Sequence, residues 1–136
     1  MTGSLPTPDM VNESTVTRRI ALCNSTELVN SELAVPFDVI YHRRPCAAFA
    51  IRYQDQVYAY LNRCAHIPME MDYQPNRFFD STGQVLMCAT HGATYHPKTG
   101  ACRGGPCRGG LIKIDTSEFD GMVYWHTAPN LSPPVS

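Results

Sequence analysis

Two short, mixed pairs of metal-binding residues constrain this chain more than any other feature: Cys64-Ala65-His66 and Cys88-Ala89-Thr90-His91. Each pair follows a stretch that reads as a β-strand, at the point where a loop begins. A strand end with a tight loop gives ligands the rigidity a metal needs. A thiolate and an imidazole one or two residues apart can approach one centre from the same loop. Spacing alone admits a structural zinc site with two cysteines and two histidines. A finger-type zinc site, however, pairs cysteine with cysteine on one arm and histidine with histidine on the other. Here both arms are mixed, a pattern that favours a binuclear cluster with one metal on sulfur and the other on nitrogen.

The 136 residues correspond to one domain, and 43% hydrophobic residues suffice for a modest core that a metal would help stabilise. The formal net charge is −1, so nothing global points to nucleic acid or a membrane surface as a partner. No apolar run approaches the roughly 20 residues that span a bilayer. The opening residues lack a basic region followed by an apolar stretch. Arg18-Arg19 precede only a brief apolar run, so a cytoplasmic protein is expected. With no export signal, six cysteines favour metal binding over a disulfide framework. Cys23 and Cys46 lie in apolar segments and are expected as buried thiols.

Segments between turn signals are short, which predicts an all-β fold. Residues 1–16 and 128–136 are read as loose tails flanking a domain over 17–127. Strands are expected at Val16–Leu22, Val57–Leu61, Leu111–Ile114 and Met122–His126, with a brief helical turn at Ser25–Leu28. Phe37–His42 and Ala47–Tyr53 are expected to form a hairpin around Arg44-Pro45, and Phe78–Met87 another with its turn at Asp80–Gly83. Residues 88–110 are expected to be loop, because the run Gly100–Gly110 alone holds seven glycines and cysteines.

The ordered string Cys64-x-His66, Cys88-x-x-His91-Gly92, Tyr95, Thr99-Gly100 and Gly105-Pro106 resembles the Rieske iron–sulfur proteins over about residues 17–127. The resemblance implies an antiparallel β-sandwich with a small cluster-binding subdomain. It implies a [2Fe–2S] cofactor with Cys64 and Cys88 on one iron and His66 and His91 on the other, exposed at the tip. Gly105-Pro106 would form the loop covering the cluster, and the Tyr95 hydroxyl could reach a ligand sulfur. Two ferric ions, two sulfides and two thiolates sum to about zero charge, against about −2 with four cysteines, so adding an electron costs less. Such centres span roughly −150 to +300 mV.

High-potential members carry an extra cysteine in each cluster loop and a serine two residues after the second histidine. Here the matching positions are Met69, Ala89 or Thr90, and Ala93. Without the hydroxyl the reduced cluster loses a hydrogen-bond donor, so a potential toward the low end is expected. The 21 residues between His66 and Cys88 also exceed the spacing usual in the family.

The family's ferredoxins suggest a one-electron carrier between a reductase and an oxygenase or other oxidoreductase, with no catalysis by the chain alone. A small accessory subunit of a larger reductase, similar to those of nitrite reductases, and a zinc-binding interaction module are the alternatives. Cys102 and Cys107 flank the Gly-Pro turn and are expected to remain thiols in a reducing cytosol. His42, His96 and His126 have no partner at ligand spacing and are expected to be structural. From Ser81 to Ile114 there is no Asp or Glu, yet Lys98, Arg103, Arg108 and Lys113 fall there. Lys98, Arg103 and Arg108 are candidates for docking an acidic redox partner.

Overall fold

The computed structural model describes residues 17–63, 71, 75–88, 92–105 and 109–134. Its strands are β1 (Arg19–Asn24), β2 (Val35–Tyr41), β3 (Arg44–Tyr53), β4 (Gln56–Leu61), β5 (Leu86–Met87), β6 (Thr94–Tyr95), β7 (Cys102–Gly104), β8 (Lys113–Ile114), β9 (Thr116–Phe119), β10 (Met122–His126) and β11 (Leu131–Ser132). A 3-10 turn, Ser25–Glu27, follows β1, and the Glu27 carboxylate accepts a hydrogen bond from the Asn24 N–H at 2.9 Å. The strands form a five-stranded sheet ordered β11-β2-β3-β4-β8 and two three-stranded sheets, β1-β10-β9 and β5-β6-β7. Every pairing between these strands is antiparallel.

Three hairpins close with two-residue loops, and both loop residues have positive φ: His42-Arg43, Gln54-Asp55 and Asp120-Gly121. Two left-handed residues give the turn a twist that matches the flanking strands. The β2–β3 turn therefore lies at His42-Arg43, and Arg44-Pro45 begin β3 instead of forming the turn. The proline sits at a strand start, where its missing N–H is tolerated.

Because side chains alternate across a strand, the centre of the main sheet serves two cores. Ala48 and Ala50 of β3, with Val57, Ala59 and Leu61 of β4, pack against Val123 and Trp125 of β10. Phe49 and Ile51 of β3, with Tyr60 of β4, face the other way onto Phe78, Leu86, Tyr95 and Leu111. Phe49 and Phe78 stack with ring centroids 3.7 Å apart. The β5-β6-β7 sheet is thus seated on one face of the main sheet by aromatic packing, with β1-β10-β9 on the other.

The expected all-β class holds, with differences of detail. Residues 88–110 are not loop throughout, because β6 and β7 fall within them. Glycine density masked two strands too short to show a period, and their pairing is bulged at Thr94/Tyr95. In the segment read as a C-terminal tail, β11 pairs with β2 and buries Leu131. Among the described residues no helix is long and apolar enough to cross a membrane.

Candidate metal centre

Cys88 follows β5 directly, in the connection between the paired strands β5 and β6. Its N–H donates to the Ala93 carbonyl and its own carbonyl accepts the Gly92 N–H, both at 2.8 Å. The two bonds pinch the connection into a closed turn, and Gly92 takes the positive φ of 76° that the reversal requires. The Cys88 side chain is fully buried and is not in a disulfide.

A second loop begins where β4 ends. The Asn62 N–H donates to Ala47 O at 2.8 Å, and the Asn62 side-chain oxygen accepts the Met71 N–H at 2.8 Å. Asn62 therefore clasps the base of the segment that contains Cys64 and His66. Met71 and Cys88 both belong to the core beneath the β5-β6-β7 sheet, so the bases of the two loops share one buried cluster. Nothing in the spacing of the sequence signals the Asn62–Met71 clasp.

Gly105, after β7, lies against the Cys88 turn. A Cβ at Gly105 would come within 2.8 Å of both Ala93 Cα and Gly92 O. Below, the Tyr60 hydroxyl donates to the Pro97 carbonyl at 2.6 Å, and burial pushes its phenol well above the usual range. A Cβ at Gly100 would lie 2.9 Å from the Tyr60 ring. Tyr60 thus fastens the 97–100 turn to β4, a second contact that spacing did not reveal.

Of the residues singled out in the sequence, Cys88, Tyr95, Lys98, Arg103 and Gly105 are placed. Cys64, His66, His91, Pro106 and Arg108 lie outside the described residues. Tyr95 is fully buried opposite Leu86, while Arg103 is exposed and Lys98 half-buried. Among the described residues no group of three or more His, Cys, Asp or Glu side chains gathers. Cys102, expected to carry a thiol, is disulfide-bonded, and its partner sulfur lies outside the described residues. Cys23 is the buried thiol expected, whereas Cys46 is a thiol only half-buried. The histidines expected to be structural have local roles: His96 Nδ1 accepts the Lys98 N–H, His126 Nε2 pairs with the Ser117 hydroxyl, and His42 occupies a hairpin turn.

A buried thiol outside any disulfide, on a pinched hairpin turn covered by a residue with no room for a Cβ, suits a sheltered thiolate ligand. The candidate donors, two thiolates and two imidazoles, suit a histidine-ligated binuclear iron centre. The family model for the Rieske [2Fe–2S] domain matches residues 18–116. This chain belongs to the Rieske [2Fe–2S] domain family. Membership brings a [2Fe–2S] cluster, a one-electron centre, as the cofactor.

Solved structures of the same fold include the ferredoxin of carbazole 1,9a-dioxygenase from Nocardioides aromaticivorans IC177, 22% identical with a TM-score of 0.62, covering 81% of this chain and 97% of that one. The Sphingomonas yanoikuyae B1 ferredoxin is 19% identical with a TM-score of 0.58, covering 86% of this chain and 100% of that one. The terminal oxygenase of carbazole 1,9a-dioxygenase from Novosphingobium sp. KA1 matches over 87% of this chain but only 31% of its own, at 17% identity and a TM-score of 0.63. No curated protein matches the chain by sequence.

Proposed function

We propose that this Rieske domain works as a small cytoplasmic ferredoxin, taking one electron at a time from a reductase and passing it to an oxygenase or another oxidoreductase. Support comes from the fold, which overlays two ferredoxins over 97% and 100% of their lengths.

In this reading Cys64 and Cys88 hold one iron through sulfur, and His66 and His91 hold the other through imidazole nitrogen. When bound, the cluster supplies a couple that stores one electron with little net charge. The chain's own residues set the surroundings. Burial at Cys88 and the covering backbone at Gly105 keep water from a sulfur ligand, and Gly105-Pro106 form the cover. Tyr95 stands beneath the same turn as a candidate donor to a ligand sulfur. Ala93 offers no hydroxyl, which favours a potential toward the low end of the family's range.

The test is anaerobic purification with iron and sulfide analysis, visible absorption, and EPR of the dithionite-reduced protein. Two irons and two sulfides per chain, with a rhombic signal of low average g, are expected. A colourless protein with stoichiometric zinc would overturn the assignment.

A further inference from the structure

Among the described residues, carboxylates gather near the start of β4, with Arg77 beside them next to Asn76, whose carbonyl accepts the Ala34 N–H. There the Gln54-Asp55 turn adjoins the segment that carries Glu27 and Glu32, through paired hydrogen bonds between Asn30 and Asp55. Glu118 and Asp120 join them, because Arg52 holds Glu118 and the Ser25 N–H donates to Gly121 O at 2.8 Å. Asp80 comes in with the turn that Ser31 binds through Gly83 O. Arg52 is already spent on Glu118 in an ion pair of 2.6 Å.

Among the described residues, the other end of β4 is mostly basic, the exposed Asp38 opposite Ala47 being the exception. Arg63 lies two residues past Leu61, and Lys113 pairs with Tyr60. Lys113 Nζ donates to Lys98 O at 3.2 Å, while the Leu111 N–H donates to Gly100 O. The 98–103 and 109–113 segments therefore run side by side. They present Lys98, Arg103 and Lys113 around the exposed Ile112 and the exposed glycines 109 and 110. Arg103 is two residues from Gly105, which touches the Cys88 turn. Asp115 marks the boundary of this strip at mid-strand. Six residues of β4 separate the two ends by roughly 17 Å, about two Debye lengths at physiological salt. The net charge of −1 gives no hint of this separation.

We infer that the chain is electrically polarised along β4, and that the strip of Lys98, Arg103 and Lys113 around Ile112 is the docking face for a redox partner with an acidic surface. This rests on the ferredoxin reading and adds the partner's chemistry. Opposite charge at the cluster end speeds encounter and turns that end toward the partner, while the acidic end is repelled. Glycines without side chains let a partner approach the backbone closely, and Ile112 supplies an apolar contact at the centre.

The experiment uses the reduced holoprotein and hexacyanoferrate(III), a trianion that takes one electron and becomes the tetra-anion. Stopped-flow oxidation is followed between about 10 and 200 mM NaCl, where the Debye length shrinks from about 30 to 7 Å. The expected rate constant falls at least threefold with salt. Lys98→Glu/Arg103→Glu should slow the reaction at least threefold at low salt, converge with the wild type at high salt, and leave the reduction potential unchanged. Glu32→Lys/Asp120→Lys changes net charge by the same amount in the opposite sense, yet should alter the low-salt rate less than twofold. A rate that is flat or rises with salt would overturn the inference. Equal and opposite effects of the two double variants would do the same, leaving only net charge at work. A chain that carries no cluster refutes the ferredoxin reading instead, and iron content separates the two failures.

Discussion

Gly105 rests on the backbone of Ala93, so close that a Cβ would lie 2.8 Å from the Ala93 Cα. Its φ of +80° is also one that side chains rarely adopt. Gly105→Ala must therefore move backbone against backbone and strain a left-handed residue, at a cost of about 1–3 kcal/mol. The cost falls on the cover of the Cys88 turn. The expected result is a lower Tm together with faster bleaching of the visible spectrum in air. Unchanged bleaching would show that this contact does not shelter the cluster.

Ala93 is fully buried in the Cys88 turn. Ala93→Ser would add a hydroxyl there. A hydrogen bond to a group gaining charge is worth about 1.5–3 kcal/mol, which for one electron is about 65–130 mV. A redox titration of the variant should show a potential raised by that amount. An unaltered potential with a full cluster would place the new hydroxyl out of reach of sulfide.

Removal of the cluster should loosen one part of the molecule before the rest. Ligand binding to metal is folding free energy, about 10–16 kcal/mol for well-studied zinc sites, and losing even about 3 kcal/mol would lower Tm by roughly 10 °C. The core of Val39, Ala48, Ala50, Val123 and Trp125 does not include Cys88. In the apoprotein, amides of Cys88, Gly92 and Tyr95 should exchange quickly while those of β3 and β10 stay protected. Uniform loss of protection would contradict this division.

Arg52 holds Glu118 through two hydrogen bonds of 3.1 and 2.6 Å, and these hold the Glu118 carboxyl below the usual carboxylate range against the opposing effect of burial. A lowered folded pKa contributes stability that is present above the unfolded value, about 4.3, and is lost as pH falls through the folded value. Both side chains are partly exposed, which limits the pair to about 1 kcal/mol. Glu118→Gln should lower Tm by about 4 °C at pH 7, and the gap to the wild type should close below about pH 4. A gap that widens on acidification would reverse the assigned sign.

The six cysteines should divide by chemistry. Burial, with Glu27 nearby, pushes the Cys23 thiol up to about 11, so it should resist alkylation of the native protein at pH 8. Cys102 is disulfide-bonded, whereas Cys23, Cys46 and Cys88 are not. With Cys64 assigned to iron, Cys107 is the expected partner. A non-reducing digest should yield a Cys102–Cys107 peptide that disappears on treatment with dithiothreitol. A peptide linking Cys102 to Cys64 instead would remove Cys64 from the ligand set.

The family and the β class were legible in the chain because each rests on local patterns. The ordered Cys/His motif string points to the family wherever it is placed, and alternating apolar residues in β3 and β4 declare a strand. Hairpin position was less legible: His42-Arg43 carries no glycine, and only pairing across β2 and β3 selects it over Arg44-Pro45. β6 and β7 have two and three residues, too short for a period, and exist because Tyr95 is buried against the main sheet. The Asn62–Met71 clasp, the seat of Gly105 on Ala93 and the sorting of charge along β4 join residues distant in sequence. Only the folded chain, which must bury two faces of one sheet at once, brings them together.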